Sequence, residues 1–193
     1  LKFSNVRKSR ALQEFYLNEN FEIEMFKLIE GFGYQSFLDL GSYFGYFAIF
    51  AKAKANIKNV IAYEADPENF TMLENYVKDN NVKIKTFNLA VGDSQTEVDL
   101  YKPVYKGTTK YPTHSQIGDP NLEPGNLYVG KKYKKISVHM QPILSILKEH
   151  VHGITLVKID IEGYEEHCLI SIDKYLSQVE QVDFLVEIMI NDH

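Results

Sequence analysis

Five short apolar runs mark the chain: SFLDL (36–40), NVIAYEA (59–65), VKIKTFNLAV (82–91), TLVKIDI (155–161) and VDFLVEIMI (182–190). Residues 82–91 alternate and then turn apolar; the other runs are too apolar to keep one face for water, and all five read as strands of a sheet covered on both sides. Phe44–Ala55, Pro67–Lys78 and Tyr164–Val179 lie between runs and read as helices, the second with Asp66 as cap and Pro67 at its first position. Strands alternating with helices specify an α/β fold, a doubly wound and mostly parallel sheet with right-handed crossovers. A chain of 193 residues suits one domain, 1–193.

Two regions depart from this rhythm. Residues 1–35 read as an N-terminal helical extension, its later part spaced like a helix and ended by Gly31 and Gly33. Residues 92–140 read as an insertion or lid. EVDLY (97–101) and ISVHM (136–140) can pair as a hairpin around a stretch rich in Pro, Gly, Lys and Tyr. A short helix, Pro142–Glu149, follows. The insertion's lysines, Lys102, Lys106, Lys110, Lys131, Lys132, Lys134 and Lys135, read as a solvated face, with an acidic partner as the alternative. Its tyrosines, Tyr101, Tyr105, Tyr111, Tyr128 and Tyr133, could form an acceptor wall.

Composition narrows the function classes. A formal charge of −5 is not that of a dedicated nucleic-acid binder. The single cysteine, Cys168, excludes an intramolecular disulfide, fits a reducing, cytoplasmic setting and reads as core. The apolar runs are too short to span a bilayer. The chain opens on Leu1, with four cations and no acid in residues 1–10, and reads as a domain cut from a longer protein.

In such sheets ligands bind beyond the carboxyl ends of the strands, where strand order reverses. The first run ends as Asp39-Leu-Gly41, and Tyr43 and Gly45 follow, a spacing of Asp-x-Gly-x-x-x-Gly. A dinucleotide site wants glycine where Tyr43 stands, so that a pyrophosphate can approach the backbone. A nucleoside without phosphates needs no such room. S-adenosylmethionine fits that description, and its ammonium group would suit Asp39. Glu64 ends the second run, where a carboxylate can accept hydrogen bonds from both ribose hydroxyls, of NAD as readily as of S-adenosylmethionine. Asp160 lies at or near the end of the fourth run and Glu162 follows it, where carboxylates can bind a cation, take a proton or hold an amino group. Glu165 and Glu166, in a first helical turn, read as acids placed there by the helix dipole.

The ordered blocks FLDLGSYFGYFAIFA, VIAYEADPENFTMLENYVKDN, NLAVGD and LVKIDIEGYEEHCL resemble the FkbM-type family of class I S-adenosylmethionine-dependent methyltransferases over about residues 37–188. The 102–135 stretch matches poorly. The resemblance implies a Rossmann-like sheet of order 3-2-1-4-5 and O-methylation of a sugar or other small hydroxylated metabolite. It implies that Asp39, Gly41, Tyr43 and Gly45 line the methionine end. Glu64 would hold the ribose, and Ala65 and Asn88 would lie near the adenine. Asp160 would lie closest to methyl transfer.

Two departures stand out. QPILSIL (141–147) lacks the acids the family commonly carries before the fourth strand. The chain also stops where such sheets usually add a sixth and seventh strand. For catalysis the candidates are Asp160, Glu162 and His139, with His114 beside them. His150, His152, His167 and His193 read as surface or helix-end residues. Asp160 and Glu187, on adjacent strand tips, could converge on Mg²⁺ or another divalent cation. The competing expectation is a catalytically silent or NAD-binding module of a larger protein. No membrane partner is expected, and nucleic acid is disfavoured.

Overall fold

The computed structural model describes residues 1–3, 22–104, 115–118, 132–178 and 181–187. Its helices are α1 (Ile23–Gly31), α2 (Tyr46–Ala53), α3 (Pro67–Asp79), α4 (Ile143–His150) and α5 (Glu165–Leu176). Its strands are β1 (Ser36–Leu40), β2 (Asn59–Tyr63), β3 (Lys85–Phe87), β4 (Ala90–Gly92), β5 (Thr96–Pro103), β6 (Gln116–Ile117), β7 (Tyr133–Pro142), β8 (Thr155–Ile159) and β9 (Val182–Val186).

Period-two alternation sorts the strand residues between two faces of one sheet. Phe37, Val60, Ala62 and Leu156 face α2 and α1, packing on Phe47, Ala48, Ala51 and Ile29. Leu38, Leu40, Ile61, Val157 and Ile159 face α4 and α5, packing on Ile143, Ile146, Leu147 and Cys168. Leu38, Val157 and Ile146 are fully buried, and each such side chain contributes roughly 1.5–3 kcal/mol. The sheet runs β3-β2-β1-β8-β9, parallel throughout. Counting only these strands, the order is the expected 3-2-1-4-5, and it reverses between β1 and β8.

The run 82–91 is not one strand. It divides into β3 and β4, which belong to different sheets. Asn88 stands at the break, its Nδ2 donating to Glu64 O at 2.8 Å and Ala65 O at 3.1 Å. A side chain spent on those carbonyls turns the chain out of the ladder.

The insertion supplies a second sheet, β4-β7-β5-β6. The expected hairpin is present, with Glu97 opposite His139 and Tyr101 opposite Lys135. Leu100 pairs with Ile117 on β6. The expectations for Lys106, Lys110, Lys131, Tyr105, Tyr111, Tyr128, His114 and His193 fall outside the described residues, as does most of the N-terminal extension. Among the described residues no helix is long and apolar enough to cross a membrane.

Candidate active site

The turn after β1 is held by its own backbone. Gly41 and Ser42 donate their N–H groups to Tyr63 O at 3.0 and 2.8 Å, joining the turn to the end of β2. Gly41 has φ +82°, and a Cβ built there would lie 1.8 Å from Asp160 O. Only glycine lets the tips of β1 and β8 come this close. Tyr43 also has a positive φ, +52°. That conformation is costly for a bulky residue. Here it aims the Tyr43 N–H at Glu64 Oε2, 2.8 Å away. Gly45, with φ +73°, caps α2.

Glu64 is nearly buried, and both of its oxygens accept backbone N–H groups. Tyr43 donates to Oε2, and Asp66 donates to Oε1 at 2.9 Å. Burial pushes this carboxyl up to about 8, against the pull of those two donors. It lies in a cleft of about 600 Å³, open mouth included, with Gly41, Tyr43, Ala65, Asp160 and Glu162. Leu100, Ser115 and Ile117 bring the second sheet to the same cleft.

A buried ion cluster sits at the β1–β8 tips. Asp39 and Lys158 are register partners on neighbouring strands. The Lys158 ammonium stands 3.7 Å from Asp39 Oδ1 and 2.7 Å from Asp160 Oδ2. Burial alone would lower the Lys158 pKa, but the carboxylates of Asp160 and Asp39 outweigh it and raise it. Asp39 is fully buried, and burial lifts its carboxyl to about 6 against the pull of Lys158.

Asp39 carries a prediction. A carboxyl raised on folding contributes stability that is complete below its unfolded value of 3.8 and is lost as pH rises through about 6. The melting temperature of the ligand-free protein is therefore expected to fall between about pH 4 and about pH 6 through Asp39, with the raised Glu64 extending the fall toward about pH 8. Asp39→Asn should flatten that fall by on the order of 2 kcal/mol. Melts giving both proteins the same slope would remove Asp39 as its source.

The expected site residues divide. Gly41, Tyr43, Glu64, Ala65, Asp160 and Glu162 line the cleft. Asp39 lies beneath it in the ion cluster, and Gly45 and Asn88 shape the turns around it. His139 is not brought there. It is exposed on β7, its Nδ1 3.5 Å from Glu97 Oε1, beside a separate cleft. The divalent-cation expectation is not carried either. Among the described residues no group of three His, Cys, Asp or Glu side chains is placed to hold a metal ion. Asp160 Oδ2 is instead paired with the Lys158 ammonium, and the Asp160 charge raises the pKa of the nearby Glu187 carboxyl.

Three residues have other roles than expected. His150 is buried, 3.3 Å from the Tyr63 hydroxyl. Glu165 is buried too, and accepts the N–H groups of Ile161 and Gly163, fixing the loop after β8. Lys102 is no solvated lysine: it is 7% exposed and paired with a fully buried Asp66 at 2.8 Å. Lys158 is not among the expected site residues, because a lysine inside an apolar run gives no sign of its partners. The alternation of LVKID does place it on the face of Asp160, two residues away, and that was the available signal.

A parallel sheet of this order, with a glycine turn after β1 and a nearly buried carboxylate at the tip of β2, is the frame of a Rossmann-like methyltransferase. Residues 39–190 match the model of the methyltransferase FkbM domain, and the chain belongs to that family. None of the curated proteins compared with the chain matches it.

Proposed function

We propose that the chain is an S-adenosylmethionine-dependent O-methyltransferase acting on a hydroxyl of a sugar or another small hydroxylated metabolite. The observation that carries the reading is one cleft lined by both Glu64 and Asp160, together with Gly41 and Tyr43. Glu64 is held by two N–H groups, and carboxylate oxygens have further lone pairs for a ribose diol. Gly41, with no Cβ, lets the β8 tip and Asp160 come up against the turn. Tyr43 stands where a pyrophosphate would need glycine, which favours S-adenosylmethionine over NAD.

S-adenosylmethionine supplies an electrophilic methyl group when bound. The rest is positioning and proton handling by the chain. Asp160 Oδ2 is tied to Lys158, which fixes the carboxylate at the strand tip. Its second oxygen can accept the acceptor's O–H and take the proton as the new C–O bond forms and the C–S bond breaks. Lys158 supplies the positive charge that stabilises the carboxylate, so no step here is routed through a metal.

Calorimetric titration with S-adenosylhomocysteine and with NAD tests the cofactor. S-adenosylhomocysteine alone is expected to bind, and binding of NAD alone, or of neither, would sink the proposal. Transfer to a panel of hydroxylated acceptors should persist in excess EDTA. Loss of transfer that Mg²⁺ restores would contradict the assignment of Lys158.

A further inference from the structure

The second sheet is tied to the cleft by a buried cation. Along β5, Leu100 and Lys102 are buried two residues apart, so they share a face. Leu100 lines the cleft. Lys102 Nζ meets Asp66 Oδ1 at 2.9 Å and Oδ2 at 2.8 Å, with Glu68 Oε2 at 3.2 Å. Ser115, beside β6, adds a longer bond to Asp66 Oδ2 at 3.4 Å.

Asp66 faces two ways. Its side chain caps α3, accepting Glu68 N–H at 2.8 Å, and it takes the Lys102 charge. Its backbone N–H donates to Glu64 Oε1. The path from the insertion to the cofactor carboxylate is therefore Lys102, then Asp66, then Glu64. Asp66 also brings a second carboxylate up to Glu64, and its charge acts to raise the Glu64 pKa. With Lys102 in place that charge is answered. Without it, two neighbouring carboxylates lie buried with no lysine between the sheets to hold them.

We infer that Lys102 is a positioning residue: it clamps the second sheet onto Asp66 and so holds Glu64 in place for the ribose. This rests on the proposed cofactor reading. It makes the insertion part of the cofactor site, so affinity for the nucleoside depends on a residue outside the parallel sheet.

The test uses the full chain. Lys102→Met keeps the side chain's length and removes its charge. S-adenosylhomocysteine affinity should fall about tenfold or more, with KM for S-adenosylmethionine rising in step. Turnover at saturation should change by less than about threefold, because Asp160 and Lys158 are untouched. Lys102→Arg, which keeps the charge, should recover most of the affinity. Affinity and KM within about twofold of wild type in Lys102→Met would overturn the inference.

If Lys102→Met does not fold, Lys102→Met with Asp66→Asn removes both buried charges and keeps a good cap. That double variant should still bind about tenfold more weakly, and wild-type affinity in it would overturn the clamp. Wild-type protein that binds no S-adenosylhomocysteine would bring down the cofactor reading and the clamp together. Binding by wild type with unchanged variants would bring down the clamp alone.

Discussion

Glu64→Ala is expected to abolish measurable binding of S-adenosylhomocysteine. In the proposed reading the carboxylate at the tip of β2 accepts the ribose diol, and hydrogen bonds to a charged group are the stronger kind. Losing them should cost about 3 kcal/mol or more, which is about a hundredfold in affinity. The change also leaves the N–H groups of Tyr43 and Asp66 without their acceptor. An orphaned N–H costs roughly 1–3 kcal/mol, so stability should fall as well. Calorimetry and a thermal melt separate the two effects. Glu64→Gln refines the test, since it keeps the shape, offers one oxygen, and turns an amide donor toward an N–H. An affinity within threefold of wild type in both variants would remove the ribose role. In wild-type protein, ribose donors favour the ionised form of a group held near about 8. Binding should therefore tighten as pH rises through that value, and it should release a proton.

Glu64 was legible in the sequence because position alone identifies it. It ends an apolar run that must be a strand, and strand ends in such sheets face the ligand. The five parallel strands were legible for the same reason. The division of residues 82–91 was not. VKIKTFNLAV reads as one strand that alternates and then turns apolar, whereas the bonds from Asn88 to Glu64 O and Ala65 O at the break before β4 are set by tertiary structure. The ion cluster was half legible. Asp39 stands out as an acid inside an apolar run, but its partner Lys158 is a neighbour in space through the β1–β8 register, which a linear pattern does not display. Lys102 misled by company. Set among lysines it read as solvated, whereas strand alternation puts it on the face of Leu100 and under cover. His139 failed in the reverse sense. It lies on a well-formed strand, but on the face that alternation sends to solvent.

Gly41→Ala should be the most damaging glycine-to-alanine change among the described residues, and Gly45→Ala is its control. Both glycines have positive φ, so both substitutions carry the cost of a left-handed conformation, roughly 1–2 kcal/mol. They differ in what the new methyl meets. At Gly45 it would lie 2.1 Å from Leu73 Cδ1, the far end of a side chain that can turn aside. At Gly41 it would lie 1.8 Å from Asp160 O and 2.7 Å from the carbonyl carbon. Those are backbone atoms at the end of β8, and they cannot move without moving Asp160. Its N–H is bonded to Leu40 O at 3.0 Å, and its side chain to Lys158. The methyl must therefore force the β1 and β8 tips apart, against the pairing that closes the sheet at its reversal point. A cost of about 3–5 kcal/mol follows from strain and overpacking together, or a melting temperature lower by roughly 6–20 °C. Cofactor binding should go with it, because the Gly41 and Ser42 N–H groups tie the turn to Tyr63 O, next to Glu64. Gly45→Ala should cost less than half as much and keep measurable binding. Equal losses in the two variants would show that the left-handed turn, and not the approach of β8, makes Gly41 indispensable.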